Sequence, residues 1–231
     1  TDLLRPGDNG IGAMLGAGWW SEHSGFLTGW QDQYGTRQSL LGKIVIEYAD
    51  GTRETIVTND SWKCYDRGPI TFNGLQNGEE YDARKELGSW SETGYDDSSW
   101  LQAERVSIPS GYLRGQTIPG IKVVEKINPR TIRKSANGYI LDMGQNMVGW
   151  LRIRVKGNAG DSVRLRFAET LQPDGELYTA NLRSAKVTDL YILKGEGIEE
   201  WAPRFVYHGF RYVEVSEFPG TPTLANFTGE V

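Results

Sequence analysis

The chain has 231 residues, and 25 lysines and arginines against 30 aspartates and glutamates give a formal net charge of −5. This mildly acidic balance makes nucleic acid and anionic membranes poor partners, because both attract basic surfaces. The single cysteine, Cys64, excludes an intrachain disulfide and a cysteine-based zinc cluster, and no apolar run approaches the roughly 20 residues that cross a bilayer.

Strand patterns dominate the first half of the chain. We predict strands at residues 10–15, 43–48 and 52–58, and a further extended segment from Trp62. The last two of the three strands are separated by an Asp-Gly pair at residues 50–51, which favours a hairpin turn.

The second half also has the two-residue period of strands. Residues 150–155 and 162–167 alternate apolar residues with arginine, which predicts two half-buried strands joined by a turn. We expect further strands at 186–193 and 210–215, and the start of one within 224–231. Since no stretch has a sustained helical period, the sequence predicts an all-β protein with a short helical turn or two.

The chain divides near its middle. Prolines and glycines interrupt residues 108–121, so we predict two consecutive jelly-roll-like β-sandwich domains at residues 1–115 and 116–231. The opening residues resemble the end of one element, so we expect the first sandwich to be truncated at its N-terminus. Its unpaired sheet edges would then favour pairing with a second copy of the chain.

Residues 18–35 form a glycine-hinged segment of mixed aromatic and polar residues. A flat aromatic ring suits the apolar face of a pyranose, and carboxylates or amides suit its hydroxyls. The candidate sugar-binding residues are Trp19, Trp20, Trp30, Asp32 and Tyr34. The alternative is an irregular connection that packs against a neighbouring domain.

A second candidate loop covers residues 72–84. Asp82 and Arg84 are candidates for sugar hydrogen bonds, or they form an ion pair that holds the loop. The ion pair is favoured, because buried charges need partners.

Glycoside hydrolysis by the usual route needs two carboxylates. A structural role is favoured for every candidate, so no catalytic residue is assigned, and His208 in its aromatic strand is predicted to be packed and hydrogen-bonded. The carboxylates considered are Glu79, Glu80, Asp82, Asp96, Asp97, Asp142 and Glu169.

An ordered series of motifs resembles a known family. In the first half the segments 2–9, 18–20, 48–52, 78–84 and 95–100, together with Trp62, resemble the N-terminal accessory β-sandwich of bacterial α-L-rhamnosidases. In the second half the segments 142–146, 149–150, 168–169, 174–178 and 207–213 resemble the next domain of the same enzymes.

The resemblance implies that catalysis belongs to an (α/α)6 barrel outside these residues. That barrel's signature begins with a cysteine-proline pair, whereas Cys64 is followed by Tyr65. The expected role is to support the barrel and to bind a rhamnose-containing glycan. The alternative is a spacer without sugar affinity.

The resemblance also makes calcium a candidate ligand of the first sandwich. Glu22 and Asp32 are the carboxylates of the aromatic segment, and no ligand set is assigned from them. The sequence leaves the compartment open between cytoplasm and export.

Overall fold

A computed structural model describes residues 3–24, 30–32, 34–107 and 110–231. Regular structure there is almost entirely β, as predicted, with one α-helix, α1 (Gly18–Ser21), and single turns of 3-10 helix at Ala83–Lys85, Ala180–Leu182 and Leu224–Asn226. The strands are β1 (His23–Ser24), β2 (Trp30–Gln31), β3 (Lys43–Glu47), β4 (Arg53–Val57), β5 (Lys63–Cys64), β6 (Ile70–Gly74), β7 (Gly78–Asp82), β8 (Leu101–Gln102), β9 (Lys126–Ile127), β10 (Thr131–Ser135), β11 (Gly138–Lys156), β12 (Ser162–Ala168), β13 (Thr188–Ile192), β14 (Ile198–Trp201), β15 (His208–Glu217) and β16 (Phe227–Glu230).

A large sheet organises the structure, with strand order β6-β7-β13-β12-β15-β11-β16-β9, and β10 and β14 also pair with β11. The 19-residue β11 is its longest strand. The first part of β11 pairs with β10 and β15, and its last residues pair with β14 and β16. The pairing with β15 shifts register between Asp142 and Met147. Such an irregularity bends a strand, so β11 can serve both sets of neighbours.

The predicted alternation is confirmed in the central strands. On β12, Val163, Leu165 and Phe167 are fully buried, whereas Arg164 and Arg166 between them are half-buried. Residues from both parts of β11 contribute to the same apolar cluster, including Leu141 and Ile153. Burial of a large apolar side chain contributes roughly 1.5–3 kcal/mol, so this shared core holds the sheet together.

Strands β6 and β7 come from the first half of the chain but belong to the large sheet. β7 runs parallel to β13 and pairs Glu80 with Leu190 and Tyr81 with Tyr191. The expectation that residues 72–84 form a loop was therefore wrong, because they form a hairpin whose backbone groups bond to the sheet. The division at residues 115 and 116 remains a prediction, and this hairpin links the two predicted domains.

Outside the large sheet, the first half of the described chain forms three two-stranded pairs: β1–β2, β3–β4 and β5–β8. The β3–β4 hairpin confirms the strands and Asp-Gly turn predicted there. Residues 10–15 adopt no strand, contrary to expectation, and are largely exposed. Self-association through sheet edges remains a prediction.

No helix among the described residues has the length and apolar character needed to span a membrane.

Gly78 permits the close approach of β7 to β13. Its φ is +109°, and a Cβ there would lie within 2.9 Å of the Asp189 carboxylate and still closer to the Thr188 backbone carbonyl. We expect Gly78→Ala to lower the free energy of unfolding by at least about 3 kcal/mol, combining backbone strain and steric overlap. Urea unfolding followed by tryptophan fluorescence measures the change.

Gly68→Ala is the control for this substitution, because a Cβ at Gly68 meets nothing within 4 Å and its φ is not positive. It should change stability by less than about 1 kcal/mol. Equal stability of the two variants would contradict the observed docking of β7 on β13.

Candidate functional site

Trp19, Trp20 and Tyr34 are aromatic residues of the predicted segment, and we name the three together the aromatic patch. Trp19 and Tyr34 are 60% and 68% exposed, and the Trp20 and Tyr34 rings stack with centroids 6.4 Å apart and planes at 26°. Large exposed rings are uncommon without a partner or ligand, because burying them is favourable. Trp19 and Tyr34 therefore expose surface that a ligand could contact.

Trp20 is the fixed member of the aromatic patch. Its indole Nε1 donates to the Arg37 carbonyl at 2.9 Å, and Gly35 lies so close to the indole that a Cβ there would be 2.4 Å from Nε1. The backbone N–H of Tyr34 donates to the Trp20 carbonyl at 3.2 Å. These contacts fix the position of Trp20 relative to Tyr34, although thirteen residues separate the two in the chain.

Two other predicted residues of this segment are placed less fully. The backbone of Trp30 lies in β2, paired with Ser24, but its side chain is outside the described part of the structure, as are residues 25–29 and 33. Asp32 is half-buried with a left-handed φ of 53°. Sugar binding by these residues remains a prediction.

Glu22 belongs to the same segment, and its carboxylate is buried. It is 3% exposed, its Oε1 accepts from the Gln76 backbone N–H at 2.9 Å, and its Oε2 has no hydrogen-bond partner among the described residues. The contact with Gln76 attaches the aromatic segment to the turn between β6 and β7. No three Asp, Glu, His or Cys side chains converge as a metal site within the described ranges, so calcium receives no ligand set.

Asp82 and Arg84 form the ion pair that the sequence favoured. Arg84 Nε donates to Oδ1 of Asp82 at 2.8 Å and its second nitrogen donates to Oδ2 at 2.9 Å. The hydrogen bond from Arg84 lowers the pKa of Asp82 despite partial burial, and the carboxylate also caps the 3-10 turn Ala83–Lys85. Both Asp82 oxygens accept hydrogen bonds from Arg84. Sugar binding by this pair remains a prediction.

A buried polar cluster of Glu79, Asp189 and His208 lies where β7, β13 and β15 meet the core. His208 Nε2 lies 3.0 and 3.1 Å from the two carboxylate oxygens of Asp189, and its ring stacks on Phe167 at 4.3 Å. The prediction that His208 is packed and hydrogen-bonded is confirmed. Asp189 Oδ1 also accepts from the Glu79 backbone N–H at 3.0 Å.

Glu79 connects β7 to the segment before β15. Its side chain is fully buried and accepts from the backbone N–H groups of Arg204 at 3.1 Å and Phe205 at 2.9 Å. Burial raises the pKa of Glu79 to about 7, against the opposing effect of these hydrogen bonds and with a further contribution from Asp189. The Glu79 carboxyl of this cluster therefore changes its charge near neutral pH.

Sequence reasoning named Glu79 and His208 but missed Asp189. The missed signal was the two-residue period of β13, in which Asp189 shares its face with the core residue Tyr191. A polar residue at a core position of a strand needs a partner, and His208 supplies it.

Comparison with known proteins identifies the family. Residues 1–125 match the family model of the α-L-rhamnosidase N-terminal domain, and residues 132–231 match that of the bacterial α-L-rhamnosidase concanavalin-like domain. The chain belongs to the bacterial α-L-rhamnosidase family.

Individual relatives agree with the family models. An α-L-rhamnosidase of Streptomyces avermitilis is 44% identical over 234 residues, which cover all of this chain and 22% of the relative. One from Formosa agariphila is 38% identical, covering 96% of this chain and 24% of its own length. The chain thus spans about a quarter or less of these α-L-rhamnosidases.

Solved α-L-rhamnosidase structures share the fold. The Streptomyces avermitilis enzyme complexed with L-rhamnose aligns with a TM-score of 0.86 and 45% identity, covering 93% of this chain and 21% of that one. The native enzyme of Aspergillus terreus also gives 0.86, at 40% identity, covering 93% of this chain and 25% of its own.

Several carboxylates considered for glycosidase chemistry have structural partners in this chain. Asp96 accepts from the Ser98 backbone N–H at 3.0 Å, Asp97 pairs with Lys63, and Glu169 accepts from Asn146. Asp142 accepts from Arg211 and from the Gly144 N–H, at the register irregularity of β11. Glu80 is exposed on the opposite face of β7 from Glu79.

Glu79 predicts a pH-dependent stability. The folded chain keeps the Glu79 proton up to about pH 7, whereas the ordinary value is 4.5, so the folded state binds more protons between these values. The stability contributed by this group therefore falls as pH rises through that window, by up to about 1.4 kcal/mol per pH unit. Glu79→Gln should flatten this part of the profile, as measured by urea unfolding at pH 5, 6, 7 and 8.

Glu80→Gln is the control, since it removes an exposed carboxyl from the same strand. It should retain the wild-type slope. A Glu79→Gln profile parallel to that of the wild type would show that Glu79 does not titrate in this range.

Proposed function

We propose that this chain forms accessory β domains of an α-L-rhamnosidase that removes terminal α-L-rhamnose from glycosides. In this proposal an (α/α)6 domain of the whole protein performs the hydrolysis, and the residues described here orient it and bind its rhamnose-containing glycan. The family membership of both halves of the chain supports the assignment. So does the likeness to a Streptomyces avermitilis enzyme complexed with L-rhamnose.

The aromatic patch is the observation that carries the sugar-binding part of the proposal. Trp19 and Tyr34 expose most of their surface, and Trp20 is fixed beside Tyr34 by its bond to the Arg37 carbonyl. L-Rhamnose has a methyl group in place of a primary hydroxyl, so it presents more apolar surface than an ordinary hexose. A platform of exposed rings held by a rigid neighbour suits such a ligand, because little side-chain freedom is lost on binding.

A spacer without sugar affinity is the second candidate, and a different observation favours it. Residues 101–107 and 110–124 expose many apolar side chains, among them Leu113, Ile121 and Val124. Exposed apolar surface of this kind is typical of a face that packs against another domain. The two candidates differ in whether the isolated chain binds the sugar.

Titration of the chain with L-rhamnose tests sugar binding. We expect saturable binding at millimolar sugar by isothermal calorimetry, with shifts of the tryptophan indole resonances in two-dimensional NMR. Trp19→Ala and Tyr34→Ala should each weaken binding about fivefold or more, because a ring–ligand contact contributes on the order of 1 kcal/mol. Repeating the titration with calcium and with a chelator shows whether the metal takes part.

Tyr112→Ala is the matched control, since Tyr112 is 92% exposed and lies outside the aromatic patch. It should bind L-rhamnose as the wild type does. Absence of binding by the wild type, both with calcium and with chelator, would reject the sugar-binding function and leave the spacer function.

A further inference from the structure

A groove crosses the face of the large sheet that bears Arg164 and Arg166, and none of its lining residues belongs to the aromatic patch. Its volume is about 340 Å³, and its lining comprises Phe72, Asn77, Glu80, Arg164, Arg166, Lys186, Thr188 and Leu190. This volume lies at the lower end of the range for small-molecule sites, enough for a ligand of about one sugar ring.

Strand register places the groove residues together. Phe72 on β6 is opposite Glu80 on β7, Glu80 is opposite Leu190 on β13, and Leu190 is opposite Arg164 on β12. Arg166 is two residues further along β12, opposite Thr188. Directly opposed residues, and residues two apart, point to the same face of a sheet, so backbone pairing alone aligns this row.

The groove is basic although the chain is acidic. Arg164, Arg166 and Lys186 line it with Glu80 as the one lining carboxylate, whereas the chain as a whole has a net charge of −5. Arg164 is engaged, because its Nε donates to Glu217 at 2.8 Å. The concentration of positive charge therefore comes mainly from Arg166 and Lys186.

Arg166 is the groove residue best suited to bind an anion. It is half-buried and has no salt bridge among the described residues, although the buried Glu214 lies opposite it on β15. A partly desolvated guanidinium without a counter-ion is unfavourable, and its planar set of donors fits a carboxylate in two-point contact.

The groove also has apolar surface. Phe72 and Leu190 lie in the same cross-strand row as the charged residues, and Phe72 is half-buried, so part of its ring faces the groove. An aromatic or branched apolar side chain beside guanidinium and ammonium donors suits a ring that carries carbon–hydrogen faces and an anionic group.

We propose that this groove is a second carbohydrate site, specific for a pyranose that carries a carboxylate. The carboxylate pairs with Arg166 and Lys186, and the sugar ring packs on Phe72 and Leu190. The site is independent of rhamnose binding at the aromatic patch, because it is formed by other strands and selects another ligand class.

The experiment titrates the chain with methyl β-D-glucuronide, methyl β-D-glucoside and inorganic phosphate at constant ionic strength. NMR shifts of the arginine side-chain N–H groups and calorimetry report binding. We expect the glucuronide to bind at least tenfold more tightly than both the neutral glycoside and phosphate, because only it offers the ring and the anion together. Equal affinity for the neutral glycoside, or for phosphate, would overturn the assignment, as would the absence of glucuronide binding.

Variants locate the site. Arg166→Gln and Lys186→Gln should each weaken glucuronide binding about tenfold, and Glu80→Gln, which removes the opposing charge, should strengthen it severalfold. Lys134→Gln is the matched control, because it removes one positive charge from β10, outside the groove, at an exposed position.

Lys186 is exposed, so its variant tests the groove even where Arg166→Gln disturbs folding, which circular dichroism would reveal. A loss of affinity in Lys134→Gln equal to that in Lys186→Gln would show general charge attraction and refute a groove site. These titrations contain no L-rhamnose. The absence of glucuronide binding would therefore not contradict the proposal that the aromatic patch binds rhamnose.

Discussion

Hydrogen bonds between β7 and β13 tie a hairpin from the first half of the chain to a sheet built by the second half. Strand alternation then decides where the polar side chains of β7 go. Glu79 enters the core and meets Asp189 and the backbone of Arg204, whereas Glu80 faces outward into the basic groove. The turn of the same hairpin also receives Glu22, so the aromatic segment is positioned through this pairing as well.

The buried carboxylates show how the fold tolerates charge in its interior. Asp189 faces His208 and Glu79 accepts two backbone N–H groups, while Glu230, only 2% exposed, accepts from Arg152 and Trp150. Burial by itself raises the pKa of both Glu79 and Glu230. Hydrogen bonds from Arg152 and Trp150 lower the pKa of Glu230 overall, but for Glu79 burial prevails. The donors lower the pKa at both sites, and the net shifts differ because Glu230 also has the Arg152 guanidinium as a partner, whereas burial outweighs the backbone donors of Glu79.

The proposed ligand surfaces use different parts of the architecture. The aromatic patch depends on irregular backbone around α1 and β2, held by contacts such as that of Trp20 with the Arg37 carbonyl. The basic groove depends on the pairing of β6, β7, β13 and β12, whose opposed residues form its row. A flat ring platform selects apolar sugar surface, whereas a row of strand side chains fixes the position of a charge. An accessory region with both surfaces would bind the apolar and the anionic sugars of one glycan at different places.

The sequence by itself determined the strand content, the alternation of β12, the β3–β4 turn and the family, because these depend on local periodicity and on residues close together in the chain. It also indicated the Asp82–Arg84 ion pair and a packed His208. It could not place residues 72–84 in the large sheet or bring Asp189 to His208, because β7 and β13 are more than a hundred residues apart. Pairing between such distant strands is set by the shared core, so only the tertiary structure decided which carboxylates were buried and which cations shared a groove.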